Sequence, residues 1–417
     1  MSLLRKIARA ACVYAVYPIS RMAMYLLSFL VPRRADLWVF GAWDGAFIDN
    51  PKYLYLWISA NCPQIQAIWI TNNEGVYHQL VAKGYKVAYR WSVAGVRAAL
   101  RAKFHIVCLS PDDINFPFSG GSWYINLWHG VGLKNIKYAG RVGPLTKTFT
   151  GWQNPLVRFR RWSTFQDPDV LLSTSSTMSQ HFARCFRIPV EHCPQLGYPR
   201  LDMAADEDLR QRALALGNYT SVQEALATYD EAYLYMPTWR ENCQDFIPDA
   251  LPNLGRLSQA LAARRGILYI KAHRNFASKI ASTFPNIRIW PQELDIYPVL
   301  DSFDVLITDY SSVLYDFIFL KDHGVILYTF DYAQYIATEQ DLAFPFEENI
   351  IGLRVNDFES LCTAIQCGAG AAPLESAKLT ELRERFWGNF TGRASPKLVS
   401  YLGTLPKHAT ECANATP

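Results

Sequence analysis

Short apolar runs alternate with longer helical stretches through most of this chain. Runs at 37–40, 67–70, 86–88, 106–109, 123–127 and 170–173 read as strands bounded by polar or turn residues. Between them lie stretches such as 93–100, whose spacing of Val, Ala and Leu suits a helix. A charged, Ala-rich stretch from about 203 to 230 separates this half from a second alternation, with strands at 232–236, 267–270, 287–289, 305–308 and 325–328. Such alternation predicts parallel sheets with helical crossovers, an α/β fold. The expected division is a first unit over 36–215, a second over 228–390 and a C-terminal tail over 391–417. Two units of similar size enclose a cleft, and ligands of such sheets bind beyond the carboxyl ends of the strands.

The first 35 residues depart from this pattern. Their uncharged windows, 10–20 and 22–32, are interrupted by Pro18 and ended by Pro32. Each falls short of the roughly 20 apolar residues that a spanning helix needs. A secretory signal would want a small-residue cleavage site after Arg5-Lys6 and its apolar run, and none follows. The expectation is an amphipathic helical pair lying in the plane of a membrane.

Charge adds to that expectation. The 417 residues hold 41 Lys+Arg against 37 Asp+Glu, a formal +4, with 50% hydrophobic and 14% aromatic residues. This apolar content excludes a disordered chain, and the near balance excludes a general nucleic-acid binder. The balance conceals a segregation. Residues 1–35 carry Arg5, Lys6, Arg9, Arg21, Arg33 and Arg34 and no acid. Residues 114–166 carry Lys134, Lys137, Arg141, Lys147, Arg158, Arg160 and Arg161, again with no acid. Basic and apolar without acid is the composition of a surface that meets anionic lipid headgroups; the plainer alternative is a solvated basic face. Lys134, Arg158, Arg160 and Arg161 are accordingly expected on the acceptor and membrane side.

The nine cysteines contain no Cys-x-x-Cys and no zinc-type His spacing, which reads as reduced core cysteine in a cytosolic compartment. No acidic pair stands at a strand end where it would hold a metal. Asp112-Asp113 lies in a loop followed by apolar residues, and a site without metal or cofactor is expected.

Four groups fall at predicted strand ends. Trp128-His129-Gly130 follows the strand at 123–127, where a His can face the cleft or be merely structural. Lys271-Ala272-His273-Arg274 follows the strand at 267–270, and three side chains able to be cationic suit an anionic ligand. Thr308-Asp309-Tyr310-Ser311-Ser312 joins a strand to a helix at 313–320. Hydroxyls and unpaired amides at a helix N-terminus make a phosphate site, although simple N-capping needs the same residues. Pro237-Thr238-Trp239-Arg240 follows the first strand of the second half, and Arg240 could pair with phosphate. Two histidines, at least two permanent cations and a helix N-terminus are what group transfer from a nucleotide diphosphate donor requires.

With these residues in place, the chain resembles the CDP-glycerol glycerophosphotransferases of the teichoic acid primase and polymerase type. The resemblance spans roughly residues 36–365. It rests on Asn126-Leu127-Trp128-His129-Gly130 with Leu133-Lys134, Gly197-Tyr198-Pro199-Arg200-Leu201-Asp202, Tyr235-Met236-Pro237-Thr238-Trp239-Arg240, Lys271-Ala272-His273 and the run from Asp304 to Asp316. It implies a GT-B fold, in which two Rossmann-like domains face a central cleft, and peripheral association with the cytoplasmic membrane face. It also implies catalytic roles for His129 and His273, with residues 308–312 binding the donor's phosphates. The donor set expected is Arg240, Lys271, Arg274, Thr308, Asp309, Ser311 and Ser312. The expected partners are CDP-glycerol or CDP-ribitol, a lipid-linked saccharide acceptor and the membrane surface. Two departures stand out: Val131-Gly132 precedes Leu133-Lys134 where the family usually has Pro, and Arg274 follows His273 where Pro is usual. A nucleotide-sugar GT-B glycosyltransferase and a non-catalytic ligand sensor are the competing readings.

Overall fold

The computed structural model describes residues 17–142, 146–149, 155–238, 240, 246–271, 284–338 and 341–406. It contains two six-stranded parallel sheets. The first is built from β1 (Arg34–Phe40), β2 (Gln66–Thr71), β3 (Val87–Tyr89), β4 (Ala102–Val107), β5 (Trp123–Asn126) and β6 (Val170–Leu171). The second comprises β7 (Glu231–Tyr235), β8 (Gly266–Ile270), β9 (Ile287–Ile289), β10 (Val305–Thr308), β11 (Val325–Tyr328) and β12 (Leu353–Val355). The orders are β3-β2-β1-β4-β5-β6 and β12-β11-β10-β7-β8-β9, which is one Rossmann-like order used twice. The strand order reverses between β1 and β4, and again between β7 and β10. Ligand crevices are expected at those two points.

The strands are buried on both faces because helices cover both sides, so they read as near-continuous apolar runs. Val305, Leu306, Ile307 and Thr308 are all fully buried. Two strands were hard to read for opposite reasons. β4 begins at Ala102 rather than 106, because Lys103 and His105 break its apolar run. The Lys103 ammonium reaches the Leu405 carbonyl, and His105 bonds the Ala99 carbonyl and is driven down to about 3 by burial. β12 is a three-residue edge strand, with Leu353 exposed and Arg354 paired to Glu347, so nothing in its sequence marks it.

The helix Tyr17–Ser28 carries Pro18 in its first turn, where proline's missing N–H costs nothing. Its Tyr25 stacks on Phe116 and meets Trp162 edge-on. The described cations of this region already have partners within the protein, Arg34 at its surface. Arg21 pairs with Asp112, Arg34 with Asp36, and Arg33 donates to the carbonyls of Ala99, Phe118 and Gly120. What the region exposes is apolar: Leu26, Leu27, Phe29 and Leu30. Arg5, Lys6 and Arg9 lie outside the described residues. Among the described residues no helix is long and apolar enough to cross a membrane.

Of the residues read as a tail, Ala394–Thr404 instead form a helix that returns to the first half, and 407–417 lie outside the described residues. The carboxylate of Asp202 accepts the amides of Ala394 (2.6 Å) and Ser395 (2.7 Å) at that helix's start. Leu398 and Leu402 are fully buried. The Ala-rich stretch between the halves is ordered. It folds into helices Glu207–Leu214 and Thr220–Thr228, and Arg210 of the first binds Asp301 of the second half.

Candidate active site

The catalytic candidate of the first half hangs on β5. Beyond that strand, Asn126 Oδ1 accepts the Trp128 amide (2.9 Å), while Asn50 Nδ2 donates to the carbonyls of Leu127 (3.1 Å) and Trp128 (2.9 Å). These bonds hold Trp128 in the left-handed region, φ 53, which a bulky residue rarely adopts. The next residue, His129, has its Nδ1 3.1 Å from the Cys108 carbonyl at the end of β4. A carbonyl can only accept, so Nδ1 carries the proton and Nε2 keeps a lone pair. Burial lowers the pKa of His129; Asp49 and the Cys108 carbonyl oppose that shift, and Arg200 adds to it. A neutral imidazole with a basic Nε2 is what proton abstraction needs.

Gly130 brings the halves into contact. A Cβ there would stand 2.6 Å from Ser312 Oγ and 3.3 Å from its Cβ, so Ser312 would have to shift to admit any side chain. Its carbonyl accepts from Tyr198 (2.8 Å). The loop that follows is strapped by the second half, with the Asn135 amide bonded to the Asp341 carbonyl and the Ala343 amide to the Leu133 carbonyl.

In the second half, the 308–312 turn separates into two kinds of residue. Thr308, Asp309 and Arg240 are buried and committed to the scaffold. Thr308 Oγ1 donates to the Met236 carbonyl, and Asp309 Oδ1 accepts the amides of Thr238 and Tyr310 and the Thr238 hydroxyl. Arg240 lies 2.8 Å from Asp309 and donates to both oxygens of Asp331, with its guanidinium 4.3 Å from the Phe246 ring centroid. At 2% exposure, Arg240 is tied to two carboxylates and shapes the turn. The other kind is Ser311 and Ser312, which line open space. Ser312 makes no side-chain cap bond to the helix Val313–Leu320, and Ser311 reaches the Val313 amide only at 3.4 Å. Capping does not account for these hydroxyls, and a helix N-terminus favours an anion.

His129, Ser311 and Ser312 stand between two cavities of about 610 Å³ each. One is mainly apolar and reaches Lys134, Lys137, Phe149, Thr164 and Gln166 in the acid-free segment. The other holds Asp49, Lys52 and Lys271 and the residues after β9, Gln292 to Leu294. Lys271 therefore lies where the strand-end rule placed it. His273 and Arg274 lie outside the described residues. Arg158 is exposed, with its guanidinium 5.1 Å from the Phe165 ring, and Arg158, Arg160 and Arg161 line neither cavity. Lys134 lines the apolar cavity, with its ammonium 5.3 Å from the Tyr335 ring.

Several residues of the site escaped the sequence reading. Lys137 sits 4.2 Å from the Phe186 ring, and burial lowers it to about 8. Its only signal was membership of the acid-free segment. Asp49, Asn50 and Lys52 begin a helix after β1, a position an N-terminus signal could have marked. Asp331, the partner of Arg240, had no signal at all. Among the described residues no cluster of His, Cys, Asp and Glu could hold a metal ion; Asp112 is spent on Arg21 and Ser163.

Comparison with known proteins agrees with this layout. The family model described as CDP-Glycerol:Poly(glycerophosphate) glycerophosphotransferase matches residues 23–403. The teichoic acid poly(glycerol phosphate) polymerase of Bacillus subtilis (strain 168) is 23% identical over 91% of this chain. The chain spans 50% of that relative's length. The teichoic acid glycerol-phosphate transferase of Staphylococcus aureus (strain NCTC 8325 / PS 47) is 24% identical over 77% of this chain and 80% of its own length. The structure of the wall teichoic acid polymerase TagF superposes with a TM-score of 0.71 at 19% identity, covering 96% of this chain and 97% of that one. The shared fold is GT-B-like, two parallel sheets facing a cleft. With nine-tenths of its length matched by the family model, this chain belongs to the CDP-glycerol:poly(glycerophosphate) glycerophosphotransferase family.

Proposed function

We propose that this protein transfers glycerol phosphate from CDP-glycerol to a hydroxyl of a lipid-linked saccharide or of a growing teichoic-acid or capsule-like polymer, releasing CMP. The observation that carries this reading is the meeting of His129, with a basic Nε2, and the Ser311-Ser312 helix N-terminus across Gly130. In the step, the acceptor oxygen bonds to the phosphorus that bears glycerol. His129 Nε2 takes that hydroxyl's proton, and the bond from phosphorus to the CMP oxygen breaks, with its electron pair leaving on CMP. Ser311, Ser312 and the helix N-terminus hold the donor's phosphates, with Lys271 in the same cavity; His273 and Arg274 are assigned to the same task from the sequence alone. Arg240, Thr308 and Asp309 act by fixing the shape of the turn.

The acceptor approaches by the apolar cavity, where Lys134 and Lys137 meet an anionic group. Arg158, Arg160 and Arg161 belong to the same acid-free segment but line neither cavity. The protein works peripherally at the cytoplasmic face of a bacterial membrane, with the apolar residues after position 25 inserted at the interface. The test is a donor panel of CDP-glycerol, CDP-ribitol and UDP- and GDP-sugars, read as nucleotide release in the presence of a membrane acceptor. CMP release from CDP-glycerol is expected, and its loss by at least ~10²-fold in His129→Gln. Turnover of a nucleotide sugar, or a His129→Gln protein as fast as wild type, would reject the reading.

A further inference from the structure

The first turn of the helix Asp49–Asn61 lines the cavity beside His129, and the transfer step assigns it no role. Asp49 is not glycine yet stands at φ 61, an uncommon conformation that the surroundings must hold. Its Oδ1 accepts the Asn50 amide (2.8 Å) and Arg200 Nη1 (2.9 Å). Asn50, the next residue, bonds the Trp128 carbonyl immediately before His129. One short bracket therefore fixes both the carboxylate and the imidazole, and the two line the same cavity.

We propose that Asp49 is the positioning counter-charge of His129, stabilising the imidazolium that forms when His129 takes the acceptor's proton. This rests on the transfer reading above. Three acids line the cavity with His129: Asp295 is held by Lys52 and Tyr53, Glu293 lies after β9, and Asp49 is the one whose charge acts on the imidazole. Arg200 faces His129 with the opposite sign, but it divides its charge between Asp49 and Asp316, whose Oδ2 it meets at 2.7 Å. Lys52, in the same cavity, is spent on Asp295 at 2.7 Å. Lys271 lines that cavity and Lys134 and Lys137 the other, all of the sign that disfavours an imidazolium. The Cys108 carbonyl fixes the tautomer without supplying a full charge. Asp49 therefore supplies the negative charge that lets a buried imidazole keep a proton during the step. The same Arg200 ties Asp49 to Asp316 on the helix that begins after Ser312. The base and the donor-phosphate turn thus share one buried ion cluster, although they belong to different halves.

The experiment measures the pH dependence of diethyl pyrocarbonate modification at His129, followed by peptide mass spectrometry, in the full-length chain. It is paired with transfer rates from CDP-glycerol to a synthetic lipid-diphosphate-linked disaccharide in micelles. Asp49→Asn is expected to move the His129 midpoint down by about one pH unit and to lower kcat about tenfold, with CDP-glycerol affinity little changed. Asp316→Asn leaves Asp49 in place but frees Arg200, which acts on His129, so it should lower thermal stability and move the midpoint down by less than Asp49→Asn does; an equal shift overturns the proposal. An unmoved midpoint in folded Asp49→Asn overturns the proposal. If Asp49→Asn does not fold, Asp49→Glu decides. A wild-type midpoint with substantial transfer supports the proposal; a shifted midpoint or a dead enzyme overturns it. Transfer that survives His129→Gln would instead overturn the transfer reading itself, whatever the Asp49 midpoint shows.

Discussion

Strands β1 to β6 and β7 to β12 are laid out in the same order, yet the crevices beside β4 and β10 are furnished differently. The first receives one imidazole, held by a carbonyl and opening onto an apolar cavity. The second receives a helix N-terminus with two serines, shaped from behind by the buried Asp309–Arg240–Asp331 cluster. A repeated topology thus supplies two sites at matching places, and a handful of side chains decides that one handles a proton and the other an anion. The halves also differ in how they hold their site. His129 is fixed mainly by single hydrogen bonds to backbone, whereas the serine turn is fixed by buried ions.

Four measurements would break or sharpen that contrast. The largest effect is expected at Arg240. Arg240→Met leaves Asp309 and Asp331 without their cation and should cost about 3–5 kcal/mol of stability, read by chemical denaturation. If the protein keeps its stability and loses only donor affinity, Arg240 is a ligand rather than a scaffold.

Gly130→Ala comes next. Its Cβ would press on Ser312, so kcat should fall about 10²-fold while each half stays folded, as monitored by circular dichroism. Unchanged turnover would mean that the halves work farther apart than the structure places them.

The third concerns pH. His105 and His181 are lowered to about 3 and about 4 by burial, so they stay neutral in the native chain while the unfolded chain takes up protons near 6.5. Where the unfolded state binds more protons, stability rises with pH. It should therefore fall as pH drops from about 6.5 towards 4, by about 1.4 kcal/mol per unit for each histidine. Melting temperatures at pH 7.5 and 5.0 test this, and a flat profile would remove both histidines from the core account.

The smallest effect is at the surface. Leu27→Glu with Leu30→Glu should reduce sedimentation with anionic lipid vesicles several-fold, and raising the salt should do less, because Arg21, Arg33 and Arg34 already have partners. Binding that vanishes with salt alone would return the interaction to the basic residues.

Much of the fold was legible because buried parallel strands announce themselves. Eleven apolar runs correspond to strands, and the helix at 313–320 begins and ends where its turn residues placed it. β12 escaped because a short edge strand has neither alternation nor a continuous apolar run to show. The candidate site was half legible. His129, Ser311 and Ser312 could be placed by the rule that ligands sit at strand ends. The change in Arg240 from ligand to scaffold could not, since Asp331 lies 91 residues away and no local pattern links the two.

The sequence by itself determined the alternation of strand and helix, the two-half plan and the strand ends that carry chemistry, because burial periodicity and turn residues are local properties. It also showed where acids are missing. Only the tertiary structure decided which cations are spent and which line a cavity, because pairing depends on neighbours distant in the chain. Arg21 and Arg33 turned inward, Lys134 and Lys137 lined the cleft, and Asp49, unremarked in the sequence, came to lie beside His129 through one asparagine and one arginine.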